Sequence, residues 1–141
     1  MNERVVFVSC VGKKRARACP AKDIYESAWF IKARVFAQRT GHPWYILSAG
    51  HGLLHPDTVI APYEKTLNTM GVRDRRAWAE RVASEIAGEL PDLQHATILA
   101  GDRYREFLTP MLQARGVQVD VPMQGLRIGE QLRWLDQQLR R

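Results

Sequence analysis

Four short apolar runs, at residues 5–9, 44–49, 96–100 and 117–121, alternate along the chain with helix-length segments of periodic hydrophobicity. That alternation constrains the fold more than any other feature. The first run is β-branched and unbroken, as a strand buried on both faces requires. The last alternates Val117, Val119 and Val121 with Gln118 and Asp120, the pattern of a half-exposed sheet edge. Helices are expected at 24–39, at 74–90, from Asp102 onward and at 127–140. In the first, Ile24, Ala28, Ile31 and Val35 form the inward stripe, widened by Tyr25, Trp29 and Phe36. In the second the stripe is Trp78, Val82, Ile86 and Leu90, and Pro91 ends it. The third carries Tyr104, Phe107, Leu108, Met111 and Leu112 on one face, and Pro110 should kink or split it. The last uses Ile128, Leu132, Leu135 and Leu139. Helices of this length make right-handed crossovers between parallel strands. The expected architecture is α/β: a single three-layer domain over residues 1–141, with a four-stranded, mostly parallel sheet flanked by helices. Analogy with other such sheets puts the first strand at the centre.

A chain of 141 residues suits one domain and needs no disulfide staple. With 45% hydrophobic and 26% charged residues, the composition excludes intrinsic disorder. No apolar run approaches the ~20 residues of a membrane span, and residues 5–8 are too few for a signal-peptide core. A cytoplasmic location is expected, with Cys10 and Cys19 reduced. The net charge of +6 favours polyanionic partners, here a nucleotide or nucleic acid, and no membrane. Oligomeric state is left open.

In open α/β sheets ligands bind beyond the carboxyl ends of the strands. Here those ends are Ser9 and Cys10, Ser48 and Ala49, Gly101 and Asp102, and Pro122 and Met123. The connection from Ser48 to Leu67 far exceeds the ~4–6 residues usual in compact domains, which marks it as functional. Within it His51 suits an acid, a base or a hydrogen-bond donor, and equally a ring that holds loop backbone. Tyr63 offers a stacking face. Glu64 suits a general base or an acceptor toward a base edge or ribose, and equally a surface ion pair with Lys65 or Arg17. Leu53, Leu54, Pro56 and Asp57 shape the loop.

The first loop places Ser9, Cys10, Gly12, Lys13 and Lys14 together. Backbone amides and ammonium groups there suit a phosphate, although the P-loop spacing is absent. Cys10 fits a small buried thiol better than a nucleophile. Ala49, Gly52, Gly101 and Gly125 permit close ligand approach, and Tyr104 opens the helix after Gly101. His51 and His55 have the H-x3-H spacing of a zinc site, but Cys10 and Cys19 lie nine apart, unlike a structural cysteine pair. No metal and no cofactor are expected.

Several of these residues carry a resemblance. Ser9, Cys10 and Lys13, the set Tyr25, Trp29 and Lys32, then Ser48, Ala49, His51, Gly52, Leu53 and Leu54, with Pro62 and Tyr63, resemble an uncharacterised bacterial and phage domain family. The closing Gly125, Leu126, Ile128, Gly129, Leu132, Trp134 and Leu135 belong to the same pattern. The segment from His51 to Tyr63 is also similar, more distantly, to the peroxide-stress YaaA family. That resemblance implies DNA binding and protection from oxidative damage. The four-strand layout is similar to the uracil-DNA glycosylase superfamily, which implies an N-glycosidase-like site. The water-activating Asp or Asn of such glycosylases has no counterpart at residues 9–12, nor their catalytic His at 122–126, which argues against their standard mechanism.

Two functions are therefore expected. The first is a nucleotide- or nucleic-acid-directed pocket, hydrolysing an N-glycosidic bond of a nucleoside, nucleotide or modified base. Its candidate catalytic groups are His51 and Glu64. Its binding groups are Ser9, Cys10, Gly12, Lys13, Lys14, Ser48, Ala49, Gly52, Tyr63, Gly101, Tyr104 and Gly125. The alternative is a non-catalytic DNA-binding stress-response protein using Lys13, Lys14, Arg15 and Arg17 with Arg73, Arg75 and Arg76.

Overall fold

A computed structural model of the chain describes residues 2–10 and 14–140. The elements in order are β1 Arg4–Ser9, β2 Cys19–Pro20, α1 Ala21–Ile24, α2 Ala28–Arg39, β3 Trp44–Ser48, β4 Gly52–Leu54 and β5 Val59–Ile60. A 3-10 turn at Leu67–Thr69 leads into α3 Val72–Glu89, followed by β6 His95–Leu99, α4 Asp102–Arg105, α5 Leu108–Ala114, β7 Gln118–Asp120 and α6 Ile128–Leu139.

The main sheet has five strands in the order β4-β3-β1-β6-β7. The β1 strand is central and parallel to both β3 and β6, and β7 is a parallel edge. The four expected strands are all present. The fifth, β4, corrects the expected count: it folds back antiparallel onto β3, pairing Ser48 with Gly52 and Ile46 with Leu54. The tight return is possible because Gly52 has a φ of +72°, a conformation costly for any residue with a Cβ. Part of the long connection is thus sheet, and β5 pairs separately with β2.

Helices cover both faces of the sheet. On one face Trp78, Val82 and Ile86 of α3, with Leu108 and Leu112 of α5, pack on Val5, Phe7, Leu47, Ala96 and Ile98. On the other, Trp29, Phe30, Ala33 and Ala37 of α2, with Leu135 of α6, pack on Val6, Val8, Ile46 and Leu99. Alternate β1 residues feed the two cores, so β1 is buried from Val5 to Ser9. The inward stripe of α2 is not the expected one. The helix begins at Ala28, capped by Ser27, whose hydroxyl accepts the Phe30 amide, and Ile31 faces outward. Tyr25 lies outside both α1 and α2, which frees its side chain for the carboxyl end of the sheet.

Pro110 sits in the first turn of α5, where a missing amide costs little, and the break falls just before it at Glu106 and Phe107. Ile128 at the start of α6 is exposed, whereas Leu135 is buried. Among the described residues, no helix is long and apolar enough to cross a membrane.

Candidate functional site

At the carboxyl ends of β1 and β3 the chain gathers three buried hydroxyl or thiol groups around one phenol oxygen. Tyr63 Oη lies 2.7 Å from Ser48 Oγ, 2.8 Å from Tyr25 Oη and 3.4 Å from Cys10 Sγ. The thiol donates to the Leu47 carbonyl at 3.3 Å, leaving its sulfur free to accept. Ser48 Oγ accepts the His51 amide at 3.0 Å. A phenol has one proton and room for two acceptances. One assignment satisfies every group: Tyr25 and Ser48 donate to Tyr63, and Tyr63 donates to Cys10. Nearby, Tyr104 Oη donates to the Cys10 carbonyl at 3.4 Å, bringing the helix after β6 into the same corner.

Burial sets the protonation of this cluster. It pushes the Cys10 thiol up, against the smaller opposing effects of Tyr25, Tyr63 and Lys14. Burial first, and then proximity to Cys10, raises the Tyr25 and Tyr63 phenols, and burial raises Tyr104. The cluster is therefore neutral at neutral pH, and Cys10 is a thiol rather than a thiolate nucleophile.

The Tyr63 ring is held on several sides. A Cβ on Gly50 would come within 3.1 Å of it, so Gly50 is the slot that admits the ring. The His51 ring meets it edge-on, with centroids 5.0 Å apart. Lys14 Nζ stands 4.5 Å from the Tyr63 centroid and 5.6 Å from that of Tyr25.

Beside this plug, between the long connection and α3, lies a cavity of about 430 Å³. Ala49, Met70 and Trp78 give it apolar walls, and Lys65, Arg81 and Asp74 give it charge. Its volume falls in the ~300–1,000 Å³ range of small-molecule sites. The Trp78 indole is fixed by donating to the Ser48 carbonyl at 2.9 Å. Arg81 donates to the His51 carbonyl at 3.0 Å and approaches Glu85 at 3.5 Å, tying the loop to α3. The Lys65 and Asp74 side chains have no hydrogen bond or ion pair among the described residues.

Of the residues singled out in the sequence, the fold gathers Cys10, Lys14, Ser48, Ala49, His51, Tyr63 and Tyr104 at this rim. Ser9, Cys10, Ser48, Ala49 and Gly52 are buried, and of these Ala49 lines the cavity. The Gly52 reading changes in kind: its close neighbour is the Glu85 carboxylate, which stands where a Cβ would have to go. Glu64 is exposed, without a hydrogen bond or ion pair among the described residues, including the considered pair with Lys65 or Arg17. Gly101 and Gly125 are exposed, with open space where a Cβ would go. Gly12 and Lys13 lie outside the described residues.

Tyr25, Lys65, Asp74, Trp78 and Arg81 are the rim residues that sequence reasoning missed as site residues. The available signal for Tyr25 is Ser27, a cap-forming residue that ends the helix-face reading. The cationic patch of the DNA-binding alternative is also altered. Arg75 is buried, pairing with Glu106 and donating to the Met70 carbonyl at 2.5 Å. Arg76 lies over the Phe107 ring at 4.9 Å. His51 and His55 join no metal site: among the described residues no group of three His, Cys, Asp or Glu side chains is placed to hold an ion.

A family model described as "Family of unknown function (DUF6884)" matches residues 5–137, nearly the whole chain. The chain belongs to the DUF6884 family. The matched span takes in the DUF6884 chain's entire sheet from Val5 onward, its long connection and most of α6. No curated protein and no solved structure matches the chain.

Proposed function

We propose that this rim binds a nucleotide, free or within a nucleic acid. The phosphate lies against Lys65 and Arg81, and the base or sugar lies toward His51 and Tyr63. The observation that carries the reading is the cavity between the long connection and α3. It opens at the carboxyl end of β3, has an apolar floor for a planar group, and carries two cations with unused donors.

The same rim supports hydrolysis of an N-glycosidic bond, the chemistry the glycosylase resemblance implies. Water adds to the anomeric carbon, the bond to the base breaks, and the base leaves with a proton. His51 and Glu64 are the candidate proton-transfer groups, His51 beside Tyr63 and Glu64 next to Lys65 in sequence.

A thermal-shift screen of nucleosides, nucleotides and modified bases tests binding, and chromatography of released base tests turnover. A nucleotide should raise Tm, Lys65→Ala and Arg81→Ala should each abolish that rise, and His51→Ala or Glu64→Ala should stop base release with the fold retained. Binding without release would remove the hydrolase and keep the pocket. The alternative, a non-catalytic DNA-binding stress protein, rests on the exposed Arg15, Arg17 and Arg73. It is weakened by the internal pairing of Arg75 and the stacking of Arg76.

A further inference from the structure

A second cavity, of about 500 Å³, runs along the free edge of β4; it shares no lining residue with the rim cavity, although Arg81 of the rim pairs with its wall residue Glu85. Its walls include Tyr45, His51, His55, Glu85, Gly88 and Glu89, and no Lys or Arg lines it although the chain holds 21 of them. The two histidines of the H-x3-H segment both face it, and only His51 is shared with the nucleotide rim. The Tyr45 and His55 rings meet edge-to-face with centroids 5.5 Å apart, forming an aromatic wall.

Two adjacent residues of α3 on the opposite wall are poor choices for a helix. Gly88 lies in the last turn of the helix, where glycine still gives up more backbone freedom than alanine would. A Cβ there would meet nothing within 4 Å, so packing gives no reason for the glycine. Glu89 puts a negative charge in the last turn, against the helix dipole, and that turn holds no basic residue. The Glu89 carboxylate has no hydrogen bond or ion pair among the described residues. Glu85, by contrast, is occupied: it accepts the Leu53 amide at 3.0 Å and pairs with Arg81. Local choices that oppose the element carrying them point to a role in binding.

We infer that this edge cavity binds a small organic cation, an alkylguanidinium or alkylammonium. Its charged head sits on Glu89, its stem crosses the space left by Gly88, and the Tyr45 and His55 rings cover it. Carboxylate pairing and the electron-rich face of Tyr45 both favour a cation. The occupant is a small molecule rather than an added strand, because the edge amide that a strand would pair with, that of Leu53, is taken by Glu85.

Isothermal titration of the full chain with agmatine and with putrescine tests this and separates the two head groups, with neutral N-butylurea as the control. At least one cation should bind saturably and N-butylurea should not. Glu89→Gln should weaken the cation at least tenfold. Gly88→Leu should abolish binding while Tm stays at or above the wild-type value. Nucleotide shifts should survive both substitutions, which keeps this site distinct from the rim. The inference is overturned if neither cation saturates below ~10 mM, where binding carries under ~3 kcal/mol. It is equally overturned if N-butylurea binds as well, or if Glu89→Gln changes nothing.

Discussion

Gly52 is the residue whose sequence reading and structural reason differ most usefully. The sequence marks a place of close approach, and the fold supplies the approaching group as Glu85 rather than a ligand. Gly52→Ala would force a Cβ into a φ of +72° and push the carboxylate off the Leu53 amide. Strain of ~1–2 kcal/mol and a lost hydrogen bond of ~1 kcal/mol give an expected destabilisation of about 2–3 kcal/mol in urea unfolding. A residue-level consequence also follows from the Tyr63 cluster. In the unfolded chain Cys10 titrates near 9.0 and the tyrosines near 10.0, and in the fold Cys10, Tyr25 and Tyr63 are all raised. The folded state therefore holds protons that the unfolded state releases. Their stabilisation is complete below pH 9 and is lost as pH rises toward the raised values, at up to ~1.4 kcal/mol per pH unit for each group. Urea unfolding from pH 7 to pH 11 should show this fall. Tyr63→Phe should lower stability at pH 7, because Tyr25 and Ser48 lose their acceptor, and should flatten the decline above pH 10. An unchanged slope in Tyr63→Phe would mean that Tyr63 does not hold its proton in the fold.

At the scale of elements, the strands were legible because unbroken apolar runs such as 5–9 have few alternative uses in an α/β chain. The α3 stripe was legible for a related reason: Trp78, Val82, Ile86 and Leu90 are all buried. The α2 phase was not, because the break after Ile24 resets the helix at Ser27, and a stripe started at Ile24 then points Ile31 outward. Three-residue β4 is too short for periodicity to register. Site legibility divides along the same line. His51 and Tyr63 announced themselves by residue type within an over-long connection that starts at a strand end, whereas Arg81 and Trp78 look like ordinary helix residues until α3 packs beside the loop. Arg75 shows how misleading charge alone can be. It looks like part of a basic patch, yet it joins α3 to the 3-10 turn and to Glu106 after α4. Glu106→Ala should leave Arg75 buried with only a carbonyl partner. The expected cost is about 2–3 kcal/mol, below the ~3–5 kcal/mol of a fully buried pair because the Glu106 side chain keeps some water contact. Chemical denaturation of the variant measures it, and a change within ~0.5 kcal/mol would return Arg75 to the surface patch.

For the molecule as a whole, the net charge of +6 is not spread evenly over the ligand-sized cavities. The rim cavity beside Ala49 has two cations and one carboxylate on its walls, whereas the β4 edge cavity has two carboxylates and no Lys or Arg. A polyanion therefore has a preferred cavity, and salt dependence measures how much of the basic surface it uses. In the pocket reading, Lys65 and Arg81 meet the phosphate of the bound nucleotide, and Lys14, beside Tyr63, meets that of its neighbour in a strand. A short single strand should then lose affinity with a slope of about −2 in log K against log salt, at ~0.7 per neutralised phosphate. In the patch reading, Arg15, Arg17 and Arg73 join in, and six contacts give a slope near −4. Fluorescence anisotropy with a labelled oligonucleotide between 50 and 200 mM salt, on the order of the range in which such slopes are resolved, distinguishes them. The shallow slope is expected. Lys65→Ala should flatten it by roughly 0.7, and Arg73→Ala should leave it unchanged. A slope near −4 that falls on Arg73→Ala would assign the charge to a nucleic-acid surface and leave the rim cavity without its phosphate.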